Sequence, residues 1–133
     1  MKTIWFVTLA ALAILARTEL NLGPNFELVT AVSIAAAMFI SSRYSFVLVL
    51  AMLALSDLMI GNSQIFIFTW SGAIFGHLIA KYFSQKHNLF KATFLGLLAV
   101  VIFFLWTNLG VVVLFPYYDH SLSGLIQSYA NAL

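Results

Sequence analysis

One carboxylic acid lies inside an otherwise apolar segment of this sequence. Asp57 is the only charged residue in the run 46–60, whose other residues are mostly Leu, Val, Met and Ala. A carboxylate at the centre of a membrane helix costs about 2.5–3.5 kcal/mol on insertion scales, and a place near the helix carboxyl end is unfavourable for the helix dipole. We therefore predict that Asp57 contacts a ligand or pairs with Arg17. The alternative is an interfacial residue that reaches water before the turn at Gly61.

A second polar pair, Thr107 and Asn108, interrupts the apolar run 92–115. Hydroxyl and amide groups at this depth hydrogen-bond either a ligand or a neighbouring helix, at roughly 0.6–2 kcal/mol per contact. Trp106 precedes them and either lines the same cavity or faces lipid. We predict that Asn108 hydrogen-bonds a ligand, with interhelical hydrogen bonding as the other interpretation.

Three further residues complete the predicted ligand site. Arg17 is a counter-ion for acidic groups or for an anionic ligand, or else a snorkelling interfacial arginine. Asn25 lies in the segment 21–27, which is either a plain turn or a loop that folds over the cavity. Tyr117 offers a ring for stacking or for the aromatic belt. The full predicted set is Arg17, Asn25, Asp57, Trp106, Thr107, Asn108 and Tyr117.

The sequence contains no residue pattern that is typical of a catalytic or metal-binding site. His77, His87 and His120 lack the spacing of metal ligands, and the chain has no cysteine. It has no nucleophile motif and no glycine-rich phosphate loop. We predict a protein that is not an enzyme and that has no metal and no cofactor.

The composition predicts a membrane protein. Of 133 residues, 63% are apolar and 8% are charged, against roughly 45–50% and about 25% in an ordinary soluble domain. The formal net charge of +2 comes from basic residues at the predicted ends of membrane helices, so it indicates lipid headgroups and no nucleic acid.

Five apolar segments must position the polar residues: 3–16, 28–42, 45–60, 64–80 and 92–115. Crossing the hydrocarbon takes about 20 helical residues, so the first four need flanking residues, and the first extends through Arg17 towards Leu22. The turns between them are short, which predicts an up-and-down bundle. We predict one all-α transmembrane domain, residues 1–133, with five spans. Residues 121–133 form a short interfacial helix or an incomplete sixth span. A signal peptide is the alternative for the first segment.

Charge sorting predicts the topology. Basic residues cluster at one set of alternate turns, and acidic residues at the other set, where Arg17 is the only basic group. Because positively charged loops stay in the cytoplasm, we predict a cytoplasmic amino terminus and an outward acidic end, in a cytoplasmic (inner) membrane. The basic residues are Lys2, Arg43, Lys81, Lys86 and Lys91, and the acidic ones are Glu19, Glu27, Asp57 and Asp119.

Small residues recur every four positions in two segments. They are Ala31 and Ala35 in the second segment, and Gly72, Gly76 and Ala80 in the fourth. Such ridges let helix backbones approach closely. They serve packing inside the bundle or docking against a partner subunit, and the sequence leaves both interpretations open.

The order and spacing of several motifs resemble an uncharacterised bacterial family of integral membrane proteins. That family is itself similar to the substrate-binding S components of energy-coupling factor transporters. The resemblance implies a ligand that enters from outside, and partners that comprise a coupling subunit and ATPases. The motifs are Arg17, Pro24-Asn25-Phe26, Leu55-Ser56-Asp57-Leu58, Gly61, Phe103 to Val111, Tyr117, Gly124-Leu125 and Tyr129.

We therefore predict a membrane-embedded binding subunit for uptake of a small polar micronutrient, with its site at the outward end. Such a role implies contacts with the lipid bilayer, a small-molecule ligand and other membrane subunits. The alternative is a structural or accessory subunit of a larger membrane complex, with no ligand of its own. A self-sufficient channel would need polar residues through the inward half, which is apolar.

Overall fold

The computed structural model describes residues 2–20, 28–40, 42–61, 63–83 and 89–133. Within these ranges the chain forms six α-helices and no strand, which confirms the predicted all-α class. The helices are α1 (Lys2–Leu15), α2 (Leu28–Phe39), α3 (Ser42–Ile60), α4 (Phe66–Phe83), α5 (Leu89–Leu114) and α6 (Leu122–Asn131).

The first helix ends in a wider turn. After α1, residues Ala16–Leu20 form a π-helical segment, so the chain stays helical past Arg17 as predicted. A π turn adds a residue to each turn of the helix and is found most often where a side chain has a functional position. Arg17 lies at the start of this segment.

Of the helices that the structure describes, two are long and apolar enough to cross a membrane. They are the windows Arg43–Ile60 of α3 and Thr93–Leu114 of α5, of which only 28% and 22% is buried inside the molecule. A core helix of a soluble protein is mostly buried, so the exposed apolar surface suits contact with lipid. By this measure of length and composition, two spans are supported and the predicted five are not established. The helix α4 also has 18 residues, but it includes His77 and Lys81 and is not one of these two helices.

The shortest of the first five helices is the central one. Its 12 residues contact α1, α3, α4 and α5, and most of them are buried. Val29 and Val32 join the larger apolar cluster, while Ile34 and Ala37 join a second one with Ala99. Small side chains on α2 therefore let four helices approach it closely.

The glycine ridge of α4 packs against α5 inside the chain. A Cβ built on Gly72 would lie 2.9 Å from Phe103 Cδ2, and one on Gly76 would lie 3.4 Å from Ala99 Cβ. Ala80 is fully buried beside Ala99. This ridge therefore serves packing, the first of its two interpretations.

The small-residue pair on α2 is more exposed than the ridge on α4. On α2, Ala31 is exposed and Ala35 is half-buried. Within the described part of the chain, this stripe remains the accessible one of the two.

A buried histidine joins three helices at the end that carries Lys81. His77 Nδ1 lies 3.1 Å from the carbonyl oxygen of Ser33, and Ser45 Oγ lies 3.4 Å from His77 Nε2. Because a carbonyl only accepts, Nδ1 carries the proton, and Nε2 of the neutral ring accepts from the hydroxyl. Lys81 Nζ donates to the Ile40 carbonyl at 3.0 Å. We call this the Lys81 end, and its polar groups hold helices together.

The last helix folds back along α5. Ser121 caps α6 by accepting a hydrogen bond from the Gly124 amide at 3.1 Å. Near the other end of α6, the Tyr129 hydroxyl donates to the carbonyl of Leu105 at 3.1 Å. Since Leu105 lies far from the end of α5 at Leu114, α6 runs antiparallel to α5.

We predict that Gly110→Ala destabilises the bundle by about 1–3 kcal/mol, because the added methyl group overlaps the ring of Phe68 on α4. The matched control is Gly96→Ala on the same helix, where nothing lies within 4 Å of the new Cβ. It should be neutral or stabilise by about 0.5–1 kcal/mol. Unfolding in detergent followed by circular dichroism compares the two, and equal effects would contradict the close packing of α4 on α5.

Candidate ligand-binding site

The described polar residues of the predicted site lie towards the end of the bundle opposite Lys81. Here the π-helical segment and the carboxyl ends of α3 and α5 meet the amino ends of α2 and α4. We call this the Arg17 end.

An ion pair joins the π-helical segment to α3 at the Arg17 end. Arg17 Nη2 lies 3.0 Å from Asp57 Oδ1, and the two side chains are only 16% and 10% exposed. Arg17 Nη1 also donates to Ser56 Oγ at 2.7 Å. On the other side, Trp70 Nε1 of α4 donates to Asp57 Oδ2 at 2.6 Å. Each oxygen of the carboxylate thus has a charged or polar donor.

This network explains how an acid is tolerated in an apolar helix. A desolvated carboxylate is costly unless it is paired and hydrogen-bonded, and Asp57 has both kinds of partner. Ser56 extends the hydrogen-bond network to the backbone of α3, because its hydroxyl donates to the Leu53 carbonyl at 3.1 Å. The predicted pairing of Asp57 with Arg17 is therefore present in the structure.

A small cavity lies beside the ion pair. Its volume is about 80 Å³, enough for a few water molecules or a small polar group. Gly61 forms one wall and has a φ of 87°, a conformation that a residue with a side chain rarely adopts. The lining residues are Arg17, Asp57, Ile60, Gly61, Ser63, Ile65, Phe66 and Thr69.

A larger cavity opens between α2, α4 and α5. Its volume is about 490 Å³, within the range of roughly 300–1,000 Å³ that is usual for small-molecule pockets. Thr69 lines both cavities, so they adjoin at this residue. The lining residues are Thr30, Thr69, Val100, Val101, Phe103, Phe104, Thr107 and Leu133.

Three threonines give the larger cavity its polar groups. Thr69 Oγ1 donates to the Phe66 carbonyl at 3.1 Å, and Thr107 Oγ1 donates to the Phe103 carbonyl at 2.9 Å. A hydroxyl that donates to its own helix keeps oxygen lone pairs for another donor. With Thr30 from α2, three helices each bring one hydroxyl to a largely apolar space.

The structure brings some predicted residues together and separates others. Arg17 and Asp57 line the small cavity, and Thr107 lines the large one. Asn108 is buried, but its Nδ2 donates to the Phe104 carbonyl of its own helix at 2.9 Å. It is not among the lining residues of either cavity. Asn25 lies outside the described residues.

The two predicted stacking residues lie away from both cavities. Trp106 Nε1 donates to Ser71 Oγ at 2.8 Å, and its ring lies 5.0 Å from the ring of Phe68. Tyr117 is 73% exposed and stacks on Phe115 with ring centroids 5.4 Å apart. Trp106 thus helps to join α4 to α5.

Several residues of the site had not been predicted, among them Trp70, Thr30 and Thr69. The position of these three along the helices could have indicated them, because each lies in the part of its helix nearest the Arg17 end. Matching polar residues by depth across the predicted spans would have placed them level with Asp57 and Thr107.

The described residues of the site are hydrogen-bonding and apolar groups. Among the described residues, no group of three or more His, Asp or Glu side chains lies close enough to hold a metal ion. The site offers a paired charge, three threonines and aromatic side chains, which are groups of the kind that orient small molecules in protein pockets.

We predict that Asp57→Asn destabilises the protein by roughly 3 kcal/mol, because it leaves the guanidinium of Arg17 without its counter-ion. This is the low end of the range for buried pairs, since both side chains keep some exposure. The double variant Arg17→Gln/Asp57→Asn should lose less than the sum of the single losses. The control is Glu19→Gln, an exposed acid in the same π-helical segment, expected within about 0.5 kcal/mol of wild type. Unfolding in detergent measures these three variants and the single variant Arg17→Gln, and additive losses would show that the pair is not coupled.

Comparison with known proteins identifies a family and nothing more specific. No curated protein and no solved structure matches the chain, so the resemblance to transporter S components stays a prediction. A family model matches residues 1–133, and its description is a family of unknown function, DUF6580. The chain belongs to this family of unknown function, DUF6580.

Proposed function

We propose that this chain is an integral membrane protein that binds a small molecule in the larger cavity at the Arg17 end. The observation that carries the proposal is the cavity of about 490 Å³ into which α2, α4 and α5 each bring a threonine. It lies at the end that charge sorting places outside the cytoplasm. A ligand from outside would reach it without crossing the bilayer.

The proposed topology has five spans. Besides α3 and α5, α1 continues into the π-helical segment and leaves Ile4, Trp5 and Val7 exposed, as a helix in lipid does. The short α2 is surrounded by neighbours, which shield its ends. The antiparallel direction of α6 along α5 favours an incomplete sixth span over an interfacial helix. The amino terminus would lie in the cytoplasm of a bacterial cell.

The proposed role is that of a specificity subunit in an uptake system. Support comes from the cavity and from the resemblance to S components noted in the motifs. The sequence has no ATP-binding motif, so uphill transport would require a coupling subunit and ATPases as partners. Most residues that line the larger cavity are Val, Phe and Leu. The cavity therefore favours a ligand that is more apolar than the small polar micronutrient expected from the sequence.

An accessory subunit of a larger complex is the second candidate. One observation favours it: the Arg17, Asp57 and Trp70 side chains satisfy one another, as groups with a purely structural role do. The exposed Ala31 and half-buried Ala35 would then form the docking ridge. The two candidates differ in whether a small molecule occupies the larger cavity.

Single introduced cysteines test the topology, because the chain has none of its own. We expect a membrane-impermeant maleimide to label His120→Cys in intact cells, and to label His87→Cys only after permeabilisation. The two positions follow α5 and α4, and charge sorting places them on opposite sides. Labelling of His87→Cys from outside would invert the topology and remove the import role.

Native mass spectrometry of the gently solubilised protein tests ligand binding. We expect a bound small molecule in the wild type and at least tenfold lower occupancy in Val101→Trp, whose indole fills the cavity. The matched control is Val113→Trp, on the same helix, equally exposed at 52% against 53%, and outside the lining. Equal occupancy in the two variants would place the molecule elsewhere, and recovery with a large complex and no small molecule would support the accessory role.

A further inference from the structure

We propose that the ligand is an uncharged amphiphile, with an apolar body in the larger cavity and a hydrogen-bonding head in the smaller one, against the Arg17–Asp57 ion pair. This inference rests on the proposed function and adds the chemical class of the ligand. A hydroxyl or a primary amide is the kind of head that fits.

The first argument is that the cavities are adjacent. Thr69 lines both of them, so the head of a molecule in the larger cavity lies within one side chain of the smaller cavity. The volumes also differ, at about 490 and 80 Å³. A ring or short chain fits the first, and the second admits only a group of a few heavy atoms.

The second argument is the lining of the larger cavity. Phe103, Phe104, Val100 and Val101, all on α5, give one side of this cavity an apolar surface. Burial of that surface supplies most of the affinity, while the threonine hydroxyls orient the molecule. A fully polar ligand would lose its hydration here and gain few hydrogen bonds.

The third argument is the charge beside the smaller cavity. Among the described residues that line it, the charged ones are Arg17 and Asp57, and their charges cancel. An anionic or cationic head would therefore lose part of its hydration here without a net opposite charge to balance it, which is costly. An uncharged head brings no such cost.

The ion pair can still hydrogen-bond such a head. The two oxygens of a carboxylate accept about four hydrogen bonds in all. Arg17 supplies a donor to Oδ1 of Asp57, and Trp70 supplies a donor to Oδ2. A head hydroxyl can donate to the remaining capacity and accept from a donor on the cavity wall, without breaking the pair.

Four probes that share a phenyl body and differ in the head test the inference. They are 2-phenylethanol, ethylbenzene, phenylacetate and 2-phenylethylammonium. Saturation-transfer NMR on the protein in lipid nanodiscs measures each affinity, with empty nanodiscs to subtract partition into lipid. We expect 2-phenylethanol to bind about tenfold more tightly than either charged probe and about threefold more tightly than ethylbenzene.

Charge variants should move this preference in opposite directions. Asp57→Asn leaves the site with a net positive charge, so phenylacetate should gain at least tenfold relative to 2-phenylethylammonium. Arg17→Gln should reverse that order, and the double variant Arg17→Gln/Asp57→Asn should restore the alcohol as the best probe. Glu19→Gln, which removes an exposed acid outside both linings, should leave the order unchanged.

A variant that keeps both charges tests the inference if the charge variants fail to fold. Thr69→Leu closes the entrance to the smaller cavity and leaves the ion pair intact. We expect it to bind ethylbenzene as well as the wild type does, and to lose the preference for the alcohol.

The outcomes separate the two proposals. If all four probes bind the wild type equally, and Val101→Trp abolishes their binding, then the larger cavity binds ligands and the inference about the head is wrong. If no probe binds beyond empty nanodiscs, the proposed function fails together with the inference.

Discussion

The ion pair between Arg17 and Asp57 is the constraint on which the Arg17 end of this bundle depends. A carboxylate in an apolar helix needs a partner, and here the partner comes from the last turns of another helix. The π-helical segment carries Arg17 at that level, and Trp70 brings α4 to the same carboxylate. Three helices are thereby held around one acid, and the small cavity lies in the space that they leave.

The two ends of the bundle differ in what their polar groups do. At the Lys81 end, His77 is 2% exposed, and its two nitrogens contact groups on α2 and α3. Small residues such as Ala80 and Ala99 bring the helices close there. At the Arg17 end, threonines line open space. Within the described ranges, the Lys81 end is closely packed and the cavities extend towards the Arg17 end, as the proposed entry of a ligand from one side requires.

The sequence was most informative where physical cost left few choices. Asp57 needed a counter-ion, and Arg17 was the only basic residue at that end, so their pairing could be predicted. The apolar runs predicted the helices for the same reason, because backbone groups in lipid must hydrogen-bond within their own segment. Small residues at intervals of four predicted close packing, and Gly72 and Gly76 show it.

The sequence was least informative about the direction in which a side chain points. Adjacent helical residues project about 100° apart, and no pattern in a uniformly apolar helix fixes its rotation. Thr107 therefore faces the larger cavity while its neighbour Trp106 contacts Ser71 and Phe68. Asn108 looked like a ligand group by type, yet its amide donates to the carbonyl four residues back. The direction of α6 also depends on contacts with α5, such as that of Tyr129 with Leu105, that its own residues do not reveal.

An experimental structure of the protein in lipid nanodiscs, purified with whatever it retains from the membrane, tests the central claim most directly. The account predicts density for one small molecule in contact with Thr30, Thr69 and Thr107, next to an intact pair of Arg17 and Asp57. A cavity closed by movement of α4 onto α5, or filled by side chains of a partner subunit, would contradict it.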